Sequence, residues 1–136
     1  MGIGVALALA AGRAYWWFGG FPSSVAPPEA DAAPQDVVET YLEALDGHDC
    51  ERAEGLWVDK DAHTWCGDVA SITSWEIEPA SSAAAASEYA VVQVSFDLDW
   101  RPFHDDGSVG EGDLTWSYTL TRPTGGPWRL YSEGMG

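Results

Sequence analysis

Basic residues are scarce in this chain. Its 136 residues include 6 lysines and arginines against 22 aspartates and glutamates, which gives a formal net charge of −16. Such a surface repels the phosphate backbone of nucleic acids and the anionic headgroups of membrane lipids, so the composition argues against both as partners. The ordinary interpretation of the acidity is a solvated surface that keeps a small protein soluble. The alternative is an acidic site for cations or for a basic partner.

Motifs that carry common chemistry are absent as well. The chain has no glycine-rich phosphate loop, no G-x-S-x-G nucleophile elbow and no H-E-x-x-H zinc motif. Cysteine occurs twice and histidine three times. We therefore expect no cofactor and no resident metal ion.

A long uninterrupted apolar run is also missing, although the N-terminus comes close. The stretch from Gly2 to Gly12 is too short to cross a bilayer core of about 30 Å. Extended to Phe21 it is long enough, with Arg13 near its middle and an aromatic group after it that suits a membrane interface. We predict that residues 1–21 are a membrane anchor or an export signal. An apolar helix packed on the domain is the alternative.

A linker and a single domain follow this segment. Residues 22–33 are rich in proline, alanine and serine, a composition that predicts an extended linker. Hydrophobic residues make up 46% of the chain and tryptophan occurs eight times, which is enough for one modest core over residues 34–136. The domain would then lie outside the cytoplasmic membrane, tethered to it or secreted.

The first part of the domain has a helical period. In "PQDVVETYLEALDGHD", Pro34 suits a first helical position and Gly47 is placed to end the helix. A shorter helix is predicted from Cys50 to about Val58, and a third helical turn from Asp61 to Cys66. The apolar residues of the first helix share one face: Val37, Val38, Tyr41, Leu42 and Leu45.

The second part alternates with a period of two, which is typical of strands. Four segments have this pattern: "SITSWEIEPA", "SEYAVVQVSFDLDW", "DLTWSYTLTR" and "PWRLYSEGMG". In the first segment, simple alternation places Ile72 and Ser74 on one face of the strand and Trp75 and Ile77 on the other. Helices followed by antiparallel strands predict an α+β domain whose N-terminal helices pack in a curved antiparallel sheet of about four strands. The second segment has one strongly apolar face: Ala90, Val92, Val94, Phe96, Leu98 and Trp100.

Two stretches carry a resemblance to a known superfamily. "VVETYLEALDGHDCERAEGLW" and "PWRLYSEGMG" resemble the opening helices and the closing strand of nuclear transport factor 2-like proteins, which form a cystatin-like α+β cone. The resemblance covers Pro34 to Gly136 and is closest to small exported or membrane-anchored actinobacterial domains. The superfamily includes isomerases, dehydratases, transport factors and non-catalytic accessory domains, and many of its members pair through the sheet. It therefore implies a fold and a possible homodimer, but no single activity.

The stretch "HDCERAEGLWVDKDAHTWC" contains both cysteines. An even cysteine count behind an export-like N-terminus predicts a disulfide between Cys50 and Cys66. Two alternatives remain open. His48, Cys50, His63 and Cys66 could bind zinc, although their spacing is not that of the usual signature. Either cysteine could also be a reactive thiol, because each has a histidine nearby.

Paired carboxylates are the main indication of an enzyme. Asp97 and Asp99 lie on one face of the second strand, and acids that line such a cone could do acid/base work. The opposite face of this strand is the more apolar one, which favours solvated carboxylates. His104, in the loop "RPFHDDG", is a weaker candidate for a base, and a solvated loop is the ordinary interpretation. The following acidic loop, "DDGSVGEGD", does not match a calcium-binding pattern.

Large aromatic side chains suggest a pocket. A cone lined by them would hold a small apolar ligand or a segment of a protein partner, whereas a filled cone would make the domain a spacer. The leading hypothesis is a non-catalytic binding or accessory module. The competing one is a cofactor-free, isomerase- or dehydratase-like enzyme. The candidate pocket residues are Tyr41, Trp57, Trp75, Trp100, Trp116 and Trp128.

Overall fold

The computed structural model describes residues 23–59, 64–81, 88–102 and 111–135. The predicted anchor, His63 and His104 lie outside these residues. The described chain is an α+β domain with the helices first and the strands after them, as predicted. Its elements are α1 (Pro34–Asp46), α2 (Cys50–Gly55), β1 (Val69–Ile77), β2 (Tyr89–Trp100), β3 (Gly112–Thr121) and β4 (Arg129–Met135).

Helix α1 covers one face of the sheet. Pro34 occupies its first turn, where a missing N–H costs nothing, and Asp36 adds negative charge at the positive end of the helix. The predicted apolar stripe is buried against the sheet. The helix ends before Gly47 as predicted, but Gly47 has ordinary right-handed geometry, and the left-handed residue is His48 with φ 56°.

Helix α2 is shorter than the sequence predicts. The side chain of Asp49 accepts a hydrogen bond from the Arg52 N–H at 3.1 Å and so caps its start. The helix ends at Gly55 rather than near Val58, because the chain leaves it to pair with β4. The Leu130 N–H donates to Leu56 O, and the Val58 N–H donates to Leu130 O, both at 2.8 Å.

The predicted third helical turn is also different. Of its residues, Thr64 to Cys66 are described, and they form a tight turn rather than a helix. The carbonyl of Trp65 accepts from the N–H groups of Asp68 at 2.9 Å and Val69 at 3.0 Å, which leads the chain directly into β1.

The four strands pair in sequence order, β1-β2-β3-β4, and all neighbours are antiparallel. We call the face that packs on α1 the inner face. The alternation predicted for β2 is confirmed, since its apolar side chains are buried on the inner face, with Trp100 half-buried at the end. Among the described residues, no helix is both long enough and apolar enough to cross a membrane.

Simple alternation is wrong for β1. Thr73 pairs with Asp97 and Glu76 with Ser95, so the strand has one extra residue between these pairs. This β-bulge reverses the facing of everything after it. As a result, Ile77 lies opposite Val94 and packs against the same core as Ile72.

The segment before α1 has no helix or strand, but it is bound to the domain. The Ser23 N–H donates to Gly47 O at 2.7 Å, and the Val25 N–H donates to the Asp49 carboxylate at 2.8 Å. The Arg52 side chain returns a bond to Val25 O at 3.0 Å. A Cβ at Gly47 would make only an ordinary contact with the side chain of Ser23, at 3.5 Å, but would lie 3.1 Å from the carbonyl oxygen of Glu43, closer than side chains usually approach.

Candidate functional site

The two cysteines form the predicted disulfide. Cys50 is the first residue of α2, Cys66 lies in the turn before β1, and their Cα atoms are 5.5 Å apart. The bond consumes both thiols. The reactive-thiol hypothesis therefore loses its nucleophile, and the zinc hypothesis loses its two sulfur ligands. Closing a loop of this length stabilises a fold by roughly 3 kcal/mol in the chain-entropy model.

His48 has a structural role in this corner. It is buried, and its Nδ1 accepts a hydrogen bond from Nη2 of Arg101 at 3.0 Å, since arginine can only donate. Arg101 also donates through Nε to Val69 O at 3.2 Å. Together they tie the end of α1 to the start of β1. No group of three or more histidine, cysteine or acidic side chains is placed to hold a metal ion within the described ranges.

The two carboxylates proposed from sequence lie on the outer face of the sheet. Asp99 is exposed and accepts a hydrogen bond from Ser71 Oγ at 3.2 Å, while Asp97 is half-buried opposite Thr73. Neither points toward the core aromatics. His104 and most of the acidic loop fall outside the described residues.

The predicted aromatic residues pack in separate groups. Tyr41 packs edge-on against Trp57 and Tyr118, with ring centroids 5.7 and 5.6 Å apart. A second group surrounds Trp65, which Trp100 and Trp116 contact at 5.6 and 5.0 Å. Trp75 is half-buried beside the core, and Trp128 lies apart from both groups, under the guanidinium of Arg122 at 4.5 Å.

The most distinctive inward-facing group is Glu133, which the sequence analysis does not single out. In β4, Leu130 pairs with Leu120 and Glu133 pairs with Tyr118, so two residues of β4 lie between these pairs against one residue of β3. Residues directly opposite each other point to the same side, and both partners in β3 are buried. Regular alternation would place Leu130 and Glu133 on opposite faces. The β-bulge brings both to the inner face.

Glu133 is half-buried among aromatic side chains. The indole Nε1 of Trp116 donates to its carboxylate at 3.4 Å. Burial raises the pKa of Glu133 to about 7, and the bond from Trp116 partly opposes the rise. This carboxyl therefore exchanges its proton near neutral pH.

Three buried polar atoms lie in the same region without a hydrogen-bond partner among the described residues: the hydroxyls of Tyr41 and Tyr118 and the indole Nε1 of Trp57. Burial raises the pKa of both tyrosines well above the usual range, and the charge of Glu133 adds to the effect. The Trp57 indole lies close enough to oppose the rise in the pKa of Tyr41, but the two groups do not meet hydrogen-bond geometry. We call these residues the aromatic–acid cluster: Tyr41, Trp57, Trp116, Tyr118 and Glu133.

A concave feature lies at the other end of β4. It is a cleft of about 250 Å³ between residues 27–30, the end of α2 and the start of β4. Val37, Leu56 and Trp128 supply apolar lining, and Arg52 and Arg129 also line the cleft.

Comparison of the chain with protein-family models, with curated proteins and with solved structures found no match in any of the three. The candidate sites therefore rest on their geometry and chemistry.

Proposed function

We propose that this protein is a non-catalytic binding module that holds a small ligand at the aromatic–acid cluster. One observation carries the proposal: three fully buried polar atoms beside an inward-facing carboxyl have no hydrogen-bond partner in the part of the chain that the structure describes. Buried polar groups in folded proteins are nearly always hydrogen-bonded, so such a concentration calls for an explanation. A ligand that supplies the missing hydrogen bonds is the explanation we adopt.

The chemistry of the cluster defines the class of ligand. Four of its five members carry aromatic rings, which favour an apolar body. The two hydroxyls, the indole N–H and the carboxyl offer donors and acceptors for one or two polar atoms. Glu133 is the half-buried member, so it connects the cluster to solvent. The ligand is therefore a small, mainly apolar molecule with a hydroxyl or carbonyl group.

The proposal includes a fold family and a location. Helices that precede a four-stranded antiparallel sheet support membership of the nuclear transport factor 2-like superfamily, with the cluster inside its cone. The disulfide supports an oxidising compartment, as does the apolar N-terminal segment. We place the domain outside the cytoplasmic membrane, either anchored or secreted.

A matched pair of probes tests the binding proposal. Naphthalene and 2-naphthol have the same ring system, and only 2-naphthol carries a hydroxyl. We expect 2-naphthol to bind about tenfold more tightly, as a gained hydrogen bond allows, and to shift the indole N–H resonance of Trp57. Tyr118→Phe should remove the difference between the probes, whereas the exposed control Tyr131→Phe should preserve it. Equal binding of both probes, or a difference that survives Tyr118→Phe, would contradict the proposal.

A second candidate function rests on a separate observation. A carboxyl with a pKa of about 7 in an aromatic environment suits a general acid or base, and Glu133 is such a group. It replaces Asp97 and Asp99 as the residue for a cofactor-free isomerase- or dehydratase-like reaction, in which it would take a proton from carbon.

Deuterium exchange into an enolisable apolar ketone, 2-tetralone, tests this second function. Catalysed exchange should depend on pH with a midpoint near 7, and Glu133→Gln should lower it by roughly 10²-fold or more. Asp97→Asn and Asp99→Asn should leave it unchanged. A rate equal to that of buffer alone would remove the enzyme hypothesis and leave the binding proposal in place.

A further inference from the structure

The cleft beside Trp128 is built from four parts of the chain. Residues 27–30 form one wall, the end of α2 and the start of β4 form the other, and Val37 contributes from α1. The first wall is held in place, because Val25 is hydrogen-bonded to Asp49 and to Arg52. The cleft is therefore a formed feature of the fold.

Positive charge is concentrated around this cleft. Four of the chain's six basic residues are described, and one of them, Arg101, is bonded to buried His48. Of the others, Arg52 and Arg129 line the cleft, and Arg122 lies over the ring of Trp128.

Neither lining guanidinium forms an ion pair within the described part of the chain. Arg52 donates through Nε to Val25 O, and Arg129 donates through Nη1 to Gly55 O, both at 3.0 Å. A guanidinium has five N–H donors, so most of those on each side chain remain available. The pKa of Asp49 is lowered mainly by the hydrogen bonds that its carboxylate accepts from the backbone N–H groups of Val25 and Arg52. The charge of the Arg52 side chain is a smaller cause.

We propose that this cleft binds a small organic carboxylate, with its apolar body against Trp128 and its carboxylate between Arg52 and Arg129. The planar fork of arginine matches a carboxylate, and the apolar lining disfavours a bare inorganic anion. A volume of about 250 Å³ is below the usual range for drug-sized ligands, so the occupant is small. This site is separate from the aromatic–acid cluster and does not depend on it. Glu29 also lines the cleft and would oppose an anion.

Calorimetric titration of the full chain with 2-naphthoate tests the proposal. The uncharged 2-naphthamide has the same shape, and we expect it to bind at least tenfold more weakly, as the loss of a charged hydrogen bond implies. Arg52→Gln and Arg129→Gln should each weaken 2-naphthoate binding about tenfold, and Glu29→Gln should strengthen it. Tyr118→Phe should have no effect, which separates this site from the aromatic–acid cluster.

Four outcomes would contradict the proposal. Equal binding of the acid and the amide would overturn the role of charge, and inorganic phosphate binding as tightly as 2-naphthoate would overturn the organic carboxylate. Binding that Arg52→Gln and Arg129→Gln leave intact would place the ligand elsewhere. Absence of any binding would overturn the site. Circular dichroism of each variant shows that the fold is retained, and Glu29→Gln provides a gain of affinity that misfolding cannot imitate.

Discussion

The two neighbours of β3 differ in regularity. The β2–β3 ladder runs without interruption from the pair Tyr89–Thr121 to the pair Leu98–Gly112. The β3–β4 ladder has a register shift after Thr119, where β4 has one residue too many. The regular ladder builds the inner core and exposes acids on its outer face. The irregular ladder brings a carboxyl inside, so regularity serves stability here and irregularity creates the candidate site.

Single-residue deletions should separate the two ladders most strongly. Deleting Gln93 from β2 reverses the facing of one half of that strand, and each large buried side chain turned outward costs about 2 to 5 kcal/mol. We expect the domain to unfold, because its total stability is about 5 to 15 kcal/mol. Circular dichroism and denaturant titration measure the loss.

Deleting Tyr131 from β4 is the matched experiment. Tyr131 is 58% exposed, and removing it leaves the pairs Leu120–Leu130 and Tyr118–Glu133 in continuous register. We expect a folded domain in which Glu133 still titrates near pH 7. An unfolded product would mean that the bulge itself, rather than the register around it, is required.

The next largest effect concerns the charge of Glu133. Its pKa is raised to about 7 by burial, so the folded state favours the protonated carboxyl. The contribution of this group to the free energy of unfolding is therefore fully present below its unfolded pKa of about 4.5. It is lost as the pH rises through about 7. Glu133→Gln removes that loss and should stabilise the domain at pH 8 by on the order of 2 to 3 kcal/mol, with little effect at pH 4.

Thermal unfolding across this pH range checks the prediction. Asp97→Asn, on the outer face, is the control and should not change the slope between pH 5 and 7. An unchanged slope for Glu133→Gln would show that the carboxyl is well solvated.

A smaller effect is expected for the tyrosine hydroxyls. Tyr118→Phe removes a buried polar atom that has no partner among the described residues, so it should stabilise the ligand-free domain by about 1 to 2 kcal/mol. The matched change Tyr131→Phe affects an exposed hydroxyl and should be neutral. If Tyr118→Phe were destabilising, the hydroxyl would have a structural role, and the binding proposal would lose its main support.

The bulge in β1 allows the smallest test. Ser74 has φ 55°, a left-handed conformation that glycine adopts without strain. Ser74→Gly should therefore stabilise the domain by about 0.5 to 1 kcal/mol. Ser95→Gly in the regular β2 strand should destabilise it by a similar amount, because there glycine only adds disorder to the unfolded chain. Effects of the same sign at both positions would contradict this account of the bulge. Denaturant midpoints measure both.

Sequence reasoning predicted the regular elements well. The stripe of α1 and the alternation of β2 follow from side-chain periods that local geometry imposes, so both could be read directly. The disulfide followed from the cysteine count. The end of α2 was wrong, because Leu56 and Val58 pair with Leu130, a residue far away in the chain.

The candidate site could not be predicted in the same way. Trp57 and Tyr41 were named for their size alone, and the contact between them required the packing of α1 on the sheet. Glu133 was missed because the alternation of "LYSEG" places it outside unless the strand carries a bulge. A bulge depends on how two strands match over their whole length, and local sequence does not contain that information.

By itself, the sequence determined the class of the fold, the order of its elements, the inner residues of its regular strands and the cysteine pair. These features depend on local periods and on composition. The tertiary structure alone decided which carboxyl faces inward, which polar atoms are buried together and where the arginines gather. Such features depend on strand register and on contacts between distant residues, where a shift of one position exchanges the core and the surface.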